Sequence, residues 1–165
     1  MNKFLLFYLF SLLLLTISFQ SCTKEEPTPD PVPTSFEISR IILFEYPPLN
    51  ANGNDWDTGN FTESKPDCYF TLYDKASIPP TLPRITDTRD NVTNIITQTH
   101  FDLSSPYKIN ALDNTWVLRL YDEDFNGEEF MTEIEFVPNN YTPNLPIQID
   151  QGQLRLTIQG IWSFI

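Results

Sequence analysis

The sequence contains the stretch TWVLRLYDEDFNGEEFM, from Thr115 to Met131, in which a strand pattern leads directly into a group of acids. Up to Tyr121, residues of strand-forming types alternate between an apolar and a more mixed face, and this period of two predicts a β-strand. Asn126 and Gly127 then supply turn-forming residue types. The stretch therefore predicts a strand, an acidic loop and a return strand, and the candidate ligands in the loop are Asp122, Asp124, Glu128 and Glu129.

Asp122 and Asp124 form an Asp-x-Asp step, which on an extended backbone puts both carboxylates on one side. Oxygen ligands that converge from a loop tip suit calcium. Acidic turns are also commonly just solvated, so this loop by itself leaves both interpretations open. A second Asp-x-Asp step, Asp55 and Asp57 around Trp56, lies in a long polar loop earlier in the chain. Long ordered loops in compact domains tend to be functional.

The amino-terminal residues predict an export signal rather than a part of the fold. An apolar run of about 16 residues follows Lys3, which is short for a bilayer-spanning helix of roughly 20 residues. The run ends at Phe19, and with the following Gln20, Ser21 and Cys22 it resembles the lipobox of bacterial lipoproteins, in its Bacteroidota form. This resemblance implies that residues 1–21 are a signal peptide, and that Cys22 carries a lipid that attaches the chain to a membrane. An ordinary signal peptide or a membrane anchor is the alternative.

Residues 22–35 have the composition of a disordered tether, because they are rich in proline and charge and offer little to bury. Lys24, Glu25 and Glu26 resemble the surface-export signal of Bacteroidota lipoproteins, although a solvated linker end would have the same sequence. We therefore expect an outer-membrane lipoprotein that is exposed at the cell surface.

The charge of the chain excludes some classes of partner. Ten Lys and Arg stand against 22 Asp and Glu, for a net charge of −12, and removal of residues 1–21 takes away one further cation, Lys3. Neutralising phosphates requires clustered Lys and Arg, so nucleic acid is excluded as a partner. Docking on anionic lipid by charge alone is excluded for the same reason. Calcium binding is compatible with this charge.

Residues 36–165 predict an all-β domain, since short strand patterns alternate with turns and the chain holds 14 prolines. Outside the signal peptide no segment has a helical pattern. We predict an antiparallel two-sheet β-sandwich, with Ala76 to Asp90 as a loop and a bulge or bend at Gly160. Besides the strands around the acidic loop, the predicted strands are Phe36 to Tyr46, Cys68 to Asp74, Val92 to Phe101, Tyr107 to Ala111, Pro146 to Ile149 and the closing segment from Gly152.

The order of these features resembles a C2 domain, a calcium- and lipid-binding β-sandwich. Three stretches carry the resemblance: Lys65 to Asp74, Leu118 to Phe136 and Gly152 to Gly160. The first loop is longer than the family's pattern and the third is shorter by about a residue or two. The resemblance implies a calcium site built from the first and third loops, with Asp57 or Asp55, Asp67, Asp122, Asp124 and Glu129 or Glu128 as ligands. Asp57 is preferred to Asp55 because Trp56 can pack against it and orient it.

These features favour a lipid-anchored C2-like module that binds calcium and acts as a binding or scaffolding protein for a protein or glycan partner. We expect no enzyme activity, because the only histidine, His100, lies in a predicted strand without a nucleophile motif. Cys68 is expected to be a buried apolar residue. One alternative is a carbohydrate-binding lipoprotein that uses Trp56, Phe61 and Tyr69 for stacking, although Tyr69 is itself expected in the core. Another is a structural surface protein without a metal.

Overall fold

The structure is a computed structural model that describes residues 29–56, 65–77, 82–93, 98–124 and 127–165. One compact unit runs from Pro31 to Ile165. The predicted signal peptide and the lipidation site at Cys22 lie outside the described residues. Within the described ranges, no helix is both long and apolar enough to cross a membrane.

The described residues form two antiparallel sheets. The larger sheet has the strand order β3-β1-β7-β6 and the smaller one β2-β4-β5. A single 3-10 turn, Pro138–Asn140, follows β5 in the described part of the chain. This architecture confirms the predicted antiparallel two-sheet β-sandwich. The strands are β1 Pro33–Glu45, β2 Cys68–Asp74, β3 Thr99–Ile109, β4 Trp116–Asp124, β5 Gly127–Phe136, β6 Ile147–Gln151 and β7 Leu154–Phe164.

The core lies between the two sheets and is built by the period-two alternation of the strands. Leu118 and Leu120 of β4 are fully buried, and Ile41 of β1 and Ile158 of β7 approach from the larger sheet with no exposed surface. Each such side chain contributes roughly 1.5 to 3 kcal/mol by leaving water. The strand that ends at the acidic loop is thus fixed by the core.

Strand β3 differs from the prediction, which gave one strand from Val92 to Phe101 and another from Tyr107 to Ala111. The structure has a single strand, Thr99–Ile109, that pairs with β1 in two stretches. The register shifts between Ile38, which pairs with Tyr107, and Arg40, which pairs with Asp102. Residues 103–106 lie between the two stretches as a bulge in β3, opposite the single residue Ser39 of β1.

The region predicted as a loop from Ala76 to Asp90 also contributes to the smaller sheet. Residues 83–89, called the edge segment below, lie antiparallel along β2, with bridges between Thr71 and Arg84 and between Cys68 and Arg89. The Ile85 N–H donates to the Phe70 carbonyl at 2.9 Å. The edge segment covers the backbone of β2, which would otherwise be an open sheet edge.

Gly160 lies where β7 passes close to the backbone of β1. The extra residue of the predicted bulge is in β1: Ile38 pairs with Gly160 and Arg40 with Gln159, so Ser39 is left over. A Cβ atom on Gly160 would lie 2.3 Å from the Glu37 carbonyl oxygen. Glycine is therefore required here by close backbone approach.

The two ends of the domain are joined. Val32 and Ile165 exchange backbone hydrogen bonds of 3.3 and 3.1 Å. Strand β1 begins at Pro33, before the boundary expected at residue 36, because residues 33–35 pair with the end of β7.

Candidate metal centre

Four of the predicted ligands lie at one end of the smaller sheet. Asp67 precedes β2, Asp122 and Asp124 lie at the end of β4, and Glu129 is near the start of β5. The prediction that the last three acids lie in a loop is wrong, because β4 and β5 stay paired as far as Asp124 and Gly127. Strand β4 lies between β2 and β5, so these positions are neighbours across the strands. Asp122 pairs directly with Glu129, and residues opposite each other in an antiparallel pair point to the same face.

Asp122 occupies the inner face of β4, in line with Leu118 and Leu120, and its side chain is fully buried. The Oδ1 atom accepts a hydrogen bond of 2.8 Å from the Asp67 N–H. The Oδ2 atom is buried and has no hydrogen-bond partner among the described residues. A buried polar atom without a hydrogen bond lowers the free energy of unfolding by about 1 to 3 kcal/mol, and by more when it is charged.

The surroundings of Asp122 disfavour its charged form. The pKa of Asp122 is raised from 3.8 to about 6, first by burial and then by the neighbouring carboxylates of Asp124, Asp67 and Glu129, while the hydrogen bond from the Asp67 N–H opposes the rise. The carboxylate is therefore mostly ionised at neutral pH in a place that favours protonation. A cation at this point would remove the conflict.

Asp67 is held in place by its backbone and by its side chain. The Glu123 N–H donates to the Asp67 carbonyl at 2.8 Å, which together with the bond from the Asp67 N–H to Asp122 joins the start of β2 to the end of β4. The Asp67 Oδ1 atom accepts from the Asn91 N–H at 2.7 Å. Asp67 thus connects both strands to the turn that follows the edge segment.

Glu123 points to the outer face and is bound there by the edge segment. Arg84 donates from Nη1 to Oε1 at 3.1 Å and from Nη2 to Oε2 at 2.9 Å, and the Thr88 hydroxyl also donates to Oε2. Arg84 lowers the pKa of Glu123 and lies 4.0 Å from the centre of the Tyr69 ring. The sequence did not predict this contact, because Arg84 and Thr88 lie in a stretch interpreted as a loop.

The structure separates the two glutamates that the sequence left as alternatives. Glu128 pairs with Glu123 on the outer face. Burial raises the pKa of the Tyr69 hydroxyl, which also hydrogen-bonds to Glu128, and this contact raises it further. Glu128 is therefore engaged on the outer face, while Glu129 shares the inner face with Asp122.

The described residues do not form a complete metal shell. Among them, no group of three or more His, Cys, Asp or Glu side chains is close enough to hold a metal ion. Asp55 is exposed in the first loop, and the preferred Asp57 lies outside the described residues. The described part of the centre is thus the buried carboxylate of Asp122, whose pKa is influenced by the nearby Asp67, Asp124 and Glu129.

Two of the three aromatic residues proposed for sugar stacking, Trp56 and Tyr69, are buried. Trp56 is 3% exposed and its Nε1 donates to the Pro47 carbonyl at 2.7 Å, and Tyr69 is 2% exposed. The prediction of an exposed Trp56 is therefore wrong, because the indole fills the space beside the end of β1, and Tyr69 is buried as expected. Phe61 lies outside the described residues. Cys68 is fully buried, as expected.

No protein-family model matches this chain, and no curated protein matches it. Among solved structures, the chain is similar to human GIVD cytosolic phospholipase A2 in complex with methyl gamma-linolenyl fluorophosphonate and terbium chloride, with 13% identity and a TM-score of 0.48 over 81% of this chain. The chain spans 18% of that enzyme's length. It is also similar to BON1-C2B, a C2 domain, with 12% identity and a TM-score of 0.44 over 78% of this chain and 91% of that one. These values describe a general likeness of fold, and neither calcium binding nor catalysis is inferred from them.

Proposed function

We propose that this protein is a calcium-binding β-sandwich module, with Asp122 as the central ligand and Asp67, Asp124 and Glu129 as further ligands. The observation that carries the proposal is the Asp122 Oδ2 atom, which is fully buried and has no hydrogen-bond partner among the described residues. A buried carboxylate oxygen without a donor is expected where a cation supplies the missing positive charge.

Calcium is favoured over other metals by the donor types. The acids at this end of the sheet offer only oxygen atoms, and calcium takes six to eight oxygens at about 2.3 to 2.6 Å. Zinc and copper sites would use His or Cys side chains. Calcium also accepts irregular geometry more readily than magnesium, which suits ligands from separate loops. Bound calcium would neutralise the mutual repulsion of the acids and fix the loop between β4 and β5.

We further propose that Asp57, or Asp55 in its place, supplies the ligand from the first loop. The first loop precedes Asp67, whose N–H already holds the Asp122 carboxylate. Carboxylates from both loops would then surround the ion, and affinity in the millimolar range suffices outside a cell.

The module is proposed to act in a lipoprotein that is attached to the outer membrane through lipid on Cys22 and exposed at the cell surface. The support for the anchor is the sequence pattern at residues 1–22. In this setting calcium would rigidify the loops for a protein or glycan partner, since the tether already supplies attachment to the membrane.

Calorimetry of the full chain tests the metal site. With calcium chloride in place of chelator, we expect the melting temperature to rise by several degrees, because a ligand at 100 times its Kd stabilises the folded state by about 2.7 kcal/mol. Asp122→Asn should abolish the rise. Asp150→Asn, which removes an exposed acid of β6, should preserve it.

The comparison separates the metal site from a general effect of net charge. If calcium leaves the melting temperature of the unmodified chain unchanged, the protein is a structural module without a metal. If Asp122→Asn and Asp150→Asn reduce the rise equally, calcium binds diffusely to the acidic surface and the proposed site is wrong.

A further inference from the structure

A cavity of about 340 Å³ lies at one end of the smaller sheet. The opposite end, called the acidic end, carries Asp67, Asp122, Asp124 and Glu129. Strand β2 runs from the acidic end to Asp74, which lines the cavity, and β4 begins there at Trp116. Its volume is within the range of small-molecule sites, which begins at roughly 300 Å³. The residues that line it include Tyr73, Asp74, Tyr107, Lys108, Asn110 and Trp116.

The apolar part of the cavity is aromatic and held in a fixed position. Tyr107 and Trp116 meet edge to face, with ring centres 6.0 Å apart. The Trp116 Nε1 donates to the Ala111 carbonyl at 3.0 Å, which fixes the indole. Tyr73 and Tyr107 are half-buried, so each keeps exposed surface. Rigid aromatic rings are suited to the flat C–H face of a ligand that also carries polar groups.

The polar part of the cavity is also pre-organised. Asp74 accepts from the Ala76 N–H at 2.9 Å through Oδ1 and from Asn114 Nδ2 at 2.6 Å through Oδ2. A carboxylate has about four acceptor positions, so both oxygens can accept a further hydrogen bond. Burial and then the charge of Asp74 raise the pKa of Tyr107, which keeps its hydroxyl protonated as a donor.

We propose that this cavity binds a neutral saccharide unit. The Tyr107 ring is the stacking platform and its hydroxyl a donor, and Asp74 is the acceptor for sugar hydroxyls. Lys108 and Asn110 are exposed at the same cavity and supply donors for hydroxyl or ring oxygens. Asp74 and Lys108 carry opposite charges at the same cavity, so the cavity has no strong electrostatic preference for an anionic or a cationic ligand. A ligand with one apolar face and several hydroxyls satisfies the rings and the polar groups together.

This site does not depend on the metal centre, because none of its residues lies at the acidic end. It also differs from the sugar site suggested by the sequence, in which Trp56, Phe61 and Tyr69 would have been the platforms. Trp56 and Tyr69 are buried, whereas Tyr73 and Tyr107 keep exposed surface beside polar groups.

The test uses the full chain on an array of neutral and acidic oligosaccharides, followed by calorimetry with each bound glycan in chelator and in calcium. We expect binding of neutral glycans that is the same in both buffers. Tyr107→Phe keeps the contact with Trp116 and removes the hydroxyl, and Lys108→Ala removes an exposed side chain. Each should weaken binding at least threefold, and the two together at least tenfold.

Tyr141→Phe is the matched control, because Tyr141 is half-buried but does not line the cavity. It should bind like the unmodified chain, and melting curves of all variants establish that they fold. The proposal is overturned if the array shows no glycan, if only acidic glycans bind, or if Tyr107→Phe with Lys108→Ala binds normally. Binding that requires calcium would assign the sugar to the acidic end and would also overturn it.

Discussion

Asp122 interrupts the apolar pattern on the inner face of β4. The alternation of β4 places Leu118, Leu120 and then Asp122 on the inner face, so a carboxylate stands where the pattern calls for an apolar side chain. Real sequences break such a rule mainly where function requires it. Because burial shifts the pKa of Asp122, the free energy of unfolding should depend on pH through this carboxylate.

In chelator, ionisation of Asp122 should destabilise the fold. The pKa is about 6 in the folded state and 3.8 in the reference state, so the folded chain binds the proton more tightly. The free energy of unfolding contributed by this group is therefore highest below pH 4 and falls as the pH rises from about 4 to about 6, by roughly 1 to 3 kcal/mol. Urea unfolding at a series of pH values measures it.

Asp122→Asn should remove this part of the pH dependence, because an amide does not titrate. Asp150→Asn should keep it, since Asp150 is exposed on β6 and the substitution leaves Asp122 in place. Equal pH profiles for the unmodified chain and Asp122→Asn would show that Asp122 does not titrate abnormally.

At the scale of elements, the edge segment links β2 to the acidic end of β4. Arg84 carries this link, because its guanidinium binds Glu123 with two hydrogen bonds and covers the Tyr69 ring. A bidentate pair with a stacked ring fixes orientation as well as charge. The end of β4 is thereby fixed on its outer face, while the Asp67 N–H holds it on the inner face.

Arg84→Ala should lower the free energy of unfolding by about 1 to 2 kcal/mol, since both an ion pair and a cation–π contact are lost. Arg155→Ala is the control. Arg155 approaches Glu45 at only 3.8 Å and lies 5.7 Å from the Phe44 ring, and about half of each charged side chain is exposed. We expect a loss of about 0.5 kcal/mol or less there. Equal losses in urea unfolding would contradict the assigned role of Arg84.

The sequence predicted those elements whose side chains alternate. Strand β2 lies where the pattern placed it, because burial of one face imposes the period of two. Strands β4 and β5 each extend three residues into the predicted acidic loop, to Asp124 and from Gly127, because backbone pairing continues where the apolar pattern stops. The edge segment was missed because its pairing with β2 uses backbone groups and leaves no side-chain period. The single strand β3 was divided because residues 103–106 bulge out of register with β1 and interrupt the period of two.

At the scale of the whole molecule, the sequence predicted the two-sheet arrangement, and the resemblance to a C2 domain predicted that Asp67 and Asp122 lie close together. Their meeting follows from the pairing of β2 with β4, which brings the start of one strand to the end of the other. Which glutamate faces inward depends on the bulge in β5 between the partners of Leu120 and Tyr121. A bulge changes the face of every following residue, and no residue type in this stretch marks its position.

The proposed membrane attachment is a property of the whole chain. Cys22→Ser should move the protein from the membrane fraction to the soluble fraction when the full chain is expressed in a bacterium with lipoprotein processing, because the acyl chains are the proposed anchor. Mass spectrometry of the amino-terminal peptide detects the lipid. Cys68→Ala is the control and should stay with the membrane, since Cys68 is buried in the core. An unlipidated chain that remains in the membrane fraction would contradict the anchor.

The pairing of Val32 with Ile165 determines how the domain responds to mechanical load. Strand β1 is hydrogen-bonded to β3 on one side and to β7 on the other. A pull applied at residue 31 along the strand acts on both ladders together, so their hydrogen bonds are loaded in shear rather than opened one by one. Tension applied in this direction would therefore be opposed by both ladders together.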